Sequence, residues 1–314
     1  MKNVILSVAL AILPLVAGCA QATDQPRTPA ALGQPSTMAA VEAVIDAPGD
    51  WTVETVRSAD WVVDRKGLIN LEHPKAKAAH LTDGDEPIGV YFHALRHPTH
   101  GLYLVDSGVE RAFRDAPSEA IIHGLTSQLA HLEKMTIRTP LGDWLASEPE
   151  PVRGVFLTHL HLDHVLGLRD VANDVPVWVG AGDATAHSFE NVFTSDIFDT
   201  ALAGKGPLRE WTLTSGVSDV FGDGSLWAIA VPGHTKGSTA FVVRTTTGPV
   251  LLTGDACHTR WGWENGVEPG TFSSDTKRSV TSLALLQGLA ARHPSLDVRL
   301  GHQELAPSRA QASR

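Results

Sequence analysis

The sequence predicts a layered α/β fold, and three observations predict it. Short apolar runs that read as strands recur from Trp51 to Leu300. Two longer segments carry apolar residues at helical spacing. Four of the apolar runs end on a histidine or an aspartate beside a small residue or a turn, and in layered α/β folds sites gather at strand ends. The 314 residues, 43% of them hydrophobic, are enough for one large domain with a full core.

The elements follow in chain order. Lys2 precedes an apolar run over 4–17, followed by Gly18-Cys19-Ala20. That run is short for a membrane span and is placed as a signal peptide. Leu15-Val16-Ala17-Gly18-Cys19 resembles a bacterial lipobox, whose cysteine becomes the lipidated first residue after cleavage; the alternative is a plain secretory signal with an incidental cysteine. Ala20 after the cysteine resembles lipoproteins sent onward to an outer membrane. Residues 1–19 therefore read as a lipoprotein-type signal. The expected location is the periplasm-facing cell envelope, with membrane contact only through a lipid anchor at Cys19, or else secretion. Residues 20–50, rich in Ala, Pro, Gln, Thr and Gly, read as a flexible tether with one helical turn near 38–45.

Residues 51–314 read as the domain proper. Strands are expected over 51–56, 61–64, 89–95 and 101–105, forming a first half-sheet. A helix over 118–134 carries Ile121, Ile122, Leu125, Leu129 and Leu132 on one face, with Asp115-Ala116-Pro117 as its start. Val155-Phe156-Leu157 reads as a buried strand. Then come a strand over 175–180, a short helix around 183–189 and an irregular stretch to 206. The second half-sheet would hold 211–214, 226–231, 240–244 and 250–252. A final helix over 276–293, with Leu283, Leu285, Leu286 and Leu289, leads to a last strand over 297–300. No internal repeat is present.

The chemistry concentrates in Thr158-His159-Leu160-His161-Leu162-Asp163-His164. Three imidazoles and a carboxylate at this density cannot all be hydrogen-bonded core residues without heavy cost. As ligands of a first-row dication such as zinc they fit. On an extended segment His159 and His161 point to the same side; Asp163 and His164 follow where the strand must turn. Three further strand ends offer donors: His234 in Pro232-Gly233-His234, Asp255 in Thr253-Gly254-Asp255, and His302 in Leu300-Gly301-His302. His123 and His131 read as ordinary helix residues.

On His159, His161, Asp163 and His164, followed in order by His234, Asp255 and His302, the chain resembles the metallo-β-lactamase-fold hydrolase superfamily. Val105-Asp106-Ser107-Gly108 resembles its early Asp-[ST]-Gly turn. The resemblance implies a four-layer αββα sandwich and two divalent metal ions, zinc by expectation, with iron or manganese as alternatives. It implies that His159, His161 and His234 hold one metal and Asp163, His164 and His302 the other, with Asp255 bridging them. It implies a metal-bound hydroxide as nucleophile on an ester-like carbonyl, Asp163 as the catalytic residue that orients it or takes its proton, and Asp106 as a brace behind the ligands.

A bridging aspartate at 255 resembles lactonases, glyoxalase II-type thioesterases and phosphodiesterases, and is unlike the true β-lactamases. Thr253-Gly254-Asp255-Ala256-Cys257-His258 resembles the strand end of N-acyl-homoserine lactonases, which makes a small lactone or other ester the expected substrate. Those enzymes carry a tyrosine three residues after the bridging aspartate. Here that position is His258, a candidate catalytic residue whose imidazole could donate a similar hydrogen bond. Three alternatives stay open: a thioesterase or phosphodiesterase of the same fold, a mono-iron persulfide dioxygenase-like oxidoreductase, and a non-catalytic metal-binding lipoprotein.

Composition adds bounds. A net charge of −10 without a basic run argues against nucleic acid as a partner. Of two cysteines, lipidation of Cys19 leaves Cys257 alone, so no intramolecular disulfide is expected. Cys257 reads as buried and inert rather than as a site residue. The segment 258–267, with Trp261 and Trp263 among glycines and polar residues, reads either as a loop over the site or as two tryptophans packed beneath one.

Overall fold

The computed structural model of the chain describes residues 24–124, 127, 131–186, 191–213 and 215–305. The signal segment and Cys19 lie outside them. Among the described residues the strands are β1 (Arg27–Pro29), β2 (Gln34–Ser36), β3 (Thr52–Asp64), β4 (Asp85–His97), β5 (Gly101–Val105), β6 (Thr136–Ile137), β7 (Val152–Phe156), β8 (Val177–Val179), β9 (Leu208–Glu210), β10 (Val217–Asp219), β11 (Leu226–Ala230), β12 (Thr239–Thr245), β13 (Gly248–Leu252) and β14 (Asp297–Arg299). They form one sheet in the order β1-β9-β8-β7-β5-β4-β3-β6 and a second in the order β14-β13-β12-β11-β10-β2.

Side-chain alternation decides which face of each sheet is inner. Tyr103, Val105 and Phe156 of the first sheet meet Leu226, Ala228, Phe241, Val243 and Leu252 of the second. Their neighbours in sequence point outward. Phe92, Leu102, Leu104 and Val155 pack on the helices Leu141–Ser147 and Asn191–Ala201 through Leu141, Trp144 and Phe198. Trp227, Ile229, Val242 and Leu251 pack on the helices Met38–Val44 and Thr276–Arg292 through Val41, Leu286 and Leu289. The result is the expected αββα sandwich, with helices covering both outer faces.

Strand direction places the site. β11 and β13 both run antiparallel to β12, and β14 runs parallel to β13. Their carboxyl ends therefore lie at one edge of the second sheet, and the carboxyl end of β7 faces them from the first.

Several elements differ from expectation. The strands expected over 51–56 and 61–64 are one strand, β3, which stays paired to β4 across a register shift between Arg57 and Ala59. Ser58 supports that bulge, accepting from Val109 N at 2.9 Å and donating to Thr139 O at 3.0 Å. The helix expected over 118–134 is turn and bend from 118 to 122, with Gly124 and Ser127 helical and a 3-10 turn at Leu132–Lys134; Leu125 and Leu129 lie outside the described residues. Ile121 and Ile122 are buried without a helix, the Ile121 N–H being satisfied by the Glu110 carboxylate at 2.5 Å. Around 183–189 there is a 3-10 turn, Asp183–Thr185, with 187–190 outside the described residues; the stretch expected to be irregular holds the helix Asn191–Ala201. The strand expected over 211–214 is replaced by β9 and β10 on either side. Trp211 makes one bond to Val179 O, at 2.9 Å, and then turns its ring into the inter-sheet core.

Part of the segment read as a tether is structured. β1 pairs with β9, β2 pairs with β10, and Val41 and Ile45 are fully buried. Edge strands of three residues lack a hydrophobic run, so pairing to distant partners, not local pattern, orders them.

Phe156 is the centre of the inner layer, within 5.0–5.8 Å (centroid to centroid) of Tyr103, Trp178, Trp211 and Phe241. Phe156→Ala is expected to cost about 3–5 kcal/mol of stability, as for other buried Phe truncations. Urea unfolding measures it, and a loss below about 1 kcal/mol would show that the two sheets do not depend on this ring.

Candidate metal centre

β7 ends at Phe156, and the chain bends at Thr158 and passes His159 and His161 before the helix Leu162–Val165 begins. His161 caps that helix with extended φ/ψ of −104°/161°, so Asp163 and His164 turn away from the two histidines before them. His234 follows β11, Asp255 follows β13 and His302 follows β14. The structure brings all seven residues together.

They form two groups. One ligand atom each from His159, His161, His234 and Asp255 lies within 4.8 Å of the others, and the same holds for Asp163, His164, Asp255 and His302. Asp255 belongs to both. Its Oδ2 lies 3.6 Å from His159 Nε2, 3.4 Å from His164 Nε2, 3.3 Å from His234 Nε2 and 3.1 Å from His302 Nε2. Glycine is required beside it: a Cβ on Gly301 would sit 2.1 Å from Asp255 Oδ1.

The imidazoles are oriented from behind. His164 Nδ1 is 2.9 Å from Asp106 Oδ2, and Asp106 also accepts from Thr158 N at 2.8 Å and Thr158 Oγ1 at 2.9 Å. Asp106 makes this reach from a left-handed backbone, φ 59°, in the turn after β5. This is the bracing expected of it. His302 Nδ1 is 2.9 Å from Gly89 O, and His234 Nδ1 is 3.2 Å from Ser273 Oγ.

Asp183 is a supporting residue that sequence reading missed. Its carboxylate accepts from Leu160 N at 3.1 Å, Thr235 Oγ1 at 2.9 Å and Gly237 N at 2.6 Å. One buried side chain thus ties the loop of His159 and His161 to the loop of His234. A single acid after Gly180-Ala181-Gly182 carries no motif; only its position at a strand end hinted at a role.

Electrostatics divide the site. Burial drives His159 and His234 well below the ordinary histidine range and His161 down to about 4, so these rings are neutral donors. Burial also opposes charge on His164 and His302. There the carboxylates outweigh it: Asp106, Asp255 and Asp163 hold His164 well above the ordinary value, and Asp255 and Asp163 raise His302 to about 10. Asp255 is held well below the ordinary carboxylate range, because His302, His258 and His164 together exceed its own burial penalty.

The donor set fits metal. His161 Nε2, Asp163 Oδ1, His164 Nε2, Asp255 Oδ1 and His258 Nε2 are all buried without a hydrogen-bond partner. Such clustering of orphaned polar atoms is costly in a protein interior, and nitrogen and carboxylate oxygen are the donors that zinc and similar dications take.

Beside the second group lies a cleft walled by Trp61, Val63, Leu68, Ile88 and Phe272, reaching Asp163, Asp255, His258 and His302. Trp261 and Trp263 are absent from that wall. The segment read as a possible loop is the helix Arg260–Asn265, capped by Thr259 Oγ1; Trp261 packs on the first sheet's outer core and Trp263 on the second's. Cys257 is buried, and burial pushes its thiol up to about 12, so it is inert.

Residues 90–291 match the model of the Metallo-beta-lactamase superfamily. The chain is 34% identical over 177 residues to N-acyl homoserine lactonase AttM of Rhizobium johnstonii, covering 52% of this chain and 62% of the relative. It is 26% identical over 243 residues to an N-acyl homoserine lactonase of Bacillus sp, covering 75% and 90%. The match thus spans less than two thirds of the AttM relative's length. Among solved structures, an N-acyl homoserine lactone hydrolase with N-hexanoyl-L-homoserine bound at its catalytic metal center matches with a TM-score of 0.57 at 18% identity, covering 80% of this chain and 92% of that one. That likeness shows the fold.

Asp183→Ala is expected to weaken metal binding by about 10–100-fold, the usual effect of losing a group that orients ligands, with Asp183→Asn intermediate because it keeps an acceptor. A chelator competition titration measures it. Unchanged affinity in the alanine variant would mean the two loops hold their ligands without Asp183.

Proposed function

Because the chain belongs to the metallo-beta-lactamase superfamily, we propose that it is a binuclear metal-dependent hydrolase of ester-like carbonyls, acting on lactones of the N-acyl-homoserine type. The observation that carries this is Asp255, shared by two complete groups of buried ligands. The relatives named as N-acyl homoserine lactonases support the substrate class.

His159, His161 and His234 would hold one ion, Asp163, His164 and His302 the other, and Asp255 both. Two dications there, zinc on the donor set, would lower the pKa of a water and polarise the carbonyl. Asp163 is the proton carrier. Its Oδ2 is 3.2 Å from His302 Nε2 and its Oδ1 is buried and unpartnered, so one oxygen would serve an ion while the other accepts a proton from the attacking water and returns it to the leaving alkoxide. The apolar walls Trp61, Val63, Leu68, Ile88 and Phe272 beside the reacting centre keep bulk water away.

The test is metal content of the purified protein together with turnover of a long-chain lactone, a thioester, a phosphodiester and a cephalosporin. Two zinc ions per chain with lactone hydrolysis is the expected result. One iron per chain, or turnover confined to another substrate of the panel, would sink the lactonase reading. Asp255→Asn should lower kcat by at least about 100-fold and weaken metal retention; a variant with full activity and both metals would remove the bridging role.

We also propose that Cys19 is lipidated and anchors the domain at the outer membrane, facing the periplasm. The lipobox-like Leu15-Val16-Ala17-Gly18-Cys19 supports this. Cys19→Ala should move the protein from the membrane fraction to the soluble fraction of cells; an unchanged membrane fraction would refute it.

A further inference from the structure

His258 lies in neither of the two ligand groups, yet it is held as their members are. Its Nδ1 is 3.0 Å from the Leu68 carbonyl oxygen. A carbonyl only accepts, so Nδ1 carries a hydrogen and Nε2 is the nitrogen left for another partner. That Nε2 is buried, has no hydrogen-bond partner, and lies 3.1 Å from Asp255 Oδ2.

His302 sits against Asp255 in a similar way, except that its Nε2 is hydrogen-bonded to that carboxylate and the His258 Nε2 is not. The His302 Nδ1 is 2.9 Å from Gly89 O and its Nε2 is 3.1 Å from the same Asp255 Oδ2. Backbone pairing makes the two alike: Gly301 N donates to Cys257 O and His302 N to His258 O, both at 3.1 Å. The segments run side by side, and their imidazoles stack at 5.6 Å with 20° between planes. On its other side the His258 ring meets His234 edge-on at 4.8 Å. A ring that gives one N–H to a backbone carbonyl and leaves the other nitrogen buried and unpartnered beside a carboxylate is the arrangement of a metal-ligating histidine. His258 Nε2 and Asp255 Oδ2 approach to 3.1 Å without hydrogen-bond alignment, so the buried ring nitrogen stays unsatisfied unless a cation takes both.

We propose that His258 Nε2 is an additional ligand of the metal pair, bound beside Asp255 on the side of the cleft. This rests on the binuclear reading above. It gives the position a different chemistry from the tyrosine of the lactonases the chain resembles: a nitrogen donor to metal in place of a hydroxyl offered to substrate. His258 would then govern how firmly one ion is held and how much of its coordination is left for the substrate carbonyl.

The experiment is a zinc titration of the full metal-free protein labelled with 15N at histidine, following each ring nitrogen by NMR. The His258 signals are assigned by through-bond correlation to its own backbone amide in the wild-type chain. Metals per chain and affinities come from chelator competition. The expected result is two zinc ions per chain, a shift of the His258 Nε2 resonance out of the unprotonated range on loading, and a loss of about 10–100-fold in affinity for one ion in His258→Gln. Two zinc ions with an unmoved His258 Nε2 resonance would overturn the ligand assignment and leave the binuclear reading intact. Wild-type protein that takes up no second ion would overturn both. The resonance is read in the wild-type chain, so a poorly folding variant does not decide the question.

Discussion

The structure depends on one buried carboxylate. Asp255 sits at the end of β13 with five imidazole nitrogens within 3.6 Å of a single oxygen. Such a concentration of polar groups is unfavourable in a protein interior unless each is oriented and compensated. The orientation is supplied from outside the group. Asp106, Gly89 O, Leu68 O and Ser273 each take the far nitrogen of one ring, and Asp183 ties two of the loops together. The near nitrogens are thereby left to converge on one small volume.

That convergence needs both sheets to be rigid. The ligands come from four strand ends, one in the first sheet and three in the second, so sliding of one sheet on the other would pull the groups apart. Against this stands an inner layer of large rings: Tyr103, Phe156, Trp178 and Trp211 from the first sheet's side and Phe241 from the second. Phe156 is two residues before Thr158 and three before His159, so the packing that joins the sheets also sets where the ligand loop departs. Precise placement of this kind is what lets a site act on a bound carbonyl without first rearranging.

Much of this was legible in the residues. β5, β11, β13 and the helix Thr276–Arg292 fall close to where alternation and periodicity place them, because each buries a face that local spacing already marks. The seven donors were legible because histidine and aspartate are rare at strand ends in such number. The misreadings share one cause. Ile121 and Ile122 look like a helix face but are buried in a bent segment held by Glu110. Trp211 looks like strand but spends its ring on the inter-sheet core. β1 and β2 have no hydrophobic run, and become strands only by pairing with β9 and β10 roughly 180 residues away. In each, a contact distant in sequence outweighs the local preference.

The sequence by itself determined a layered α/β chain, the placement of its main strands and the cluster of donors, since these follow from local periodicity and from residue chemistry; the αββα sandwich followed from the family resemblance those donors carry. Tertiary structure alone decided which nitrogen of each ring faces inward, that Asp183 joins two ligand loops, and that His258 stands beside His302 as its counterpart. Those facts depend on hydrogen bonds to backbone carbonyls and amides of other segments. Only folding brings these partners within reach.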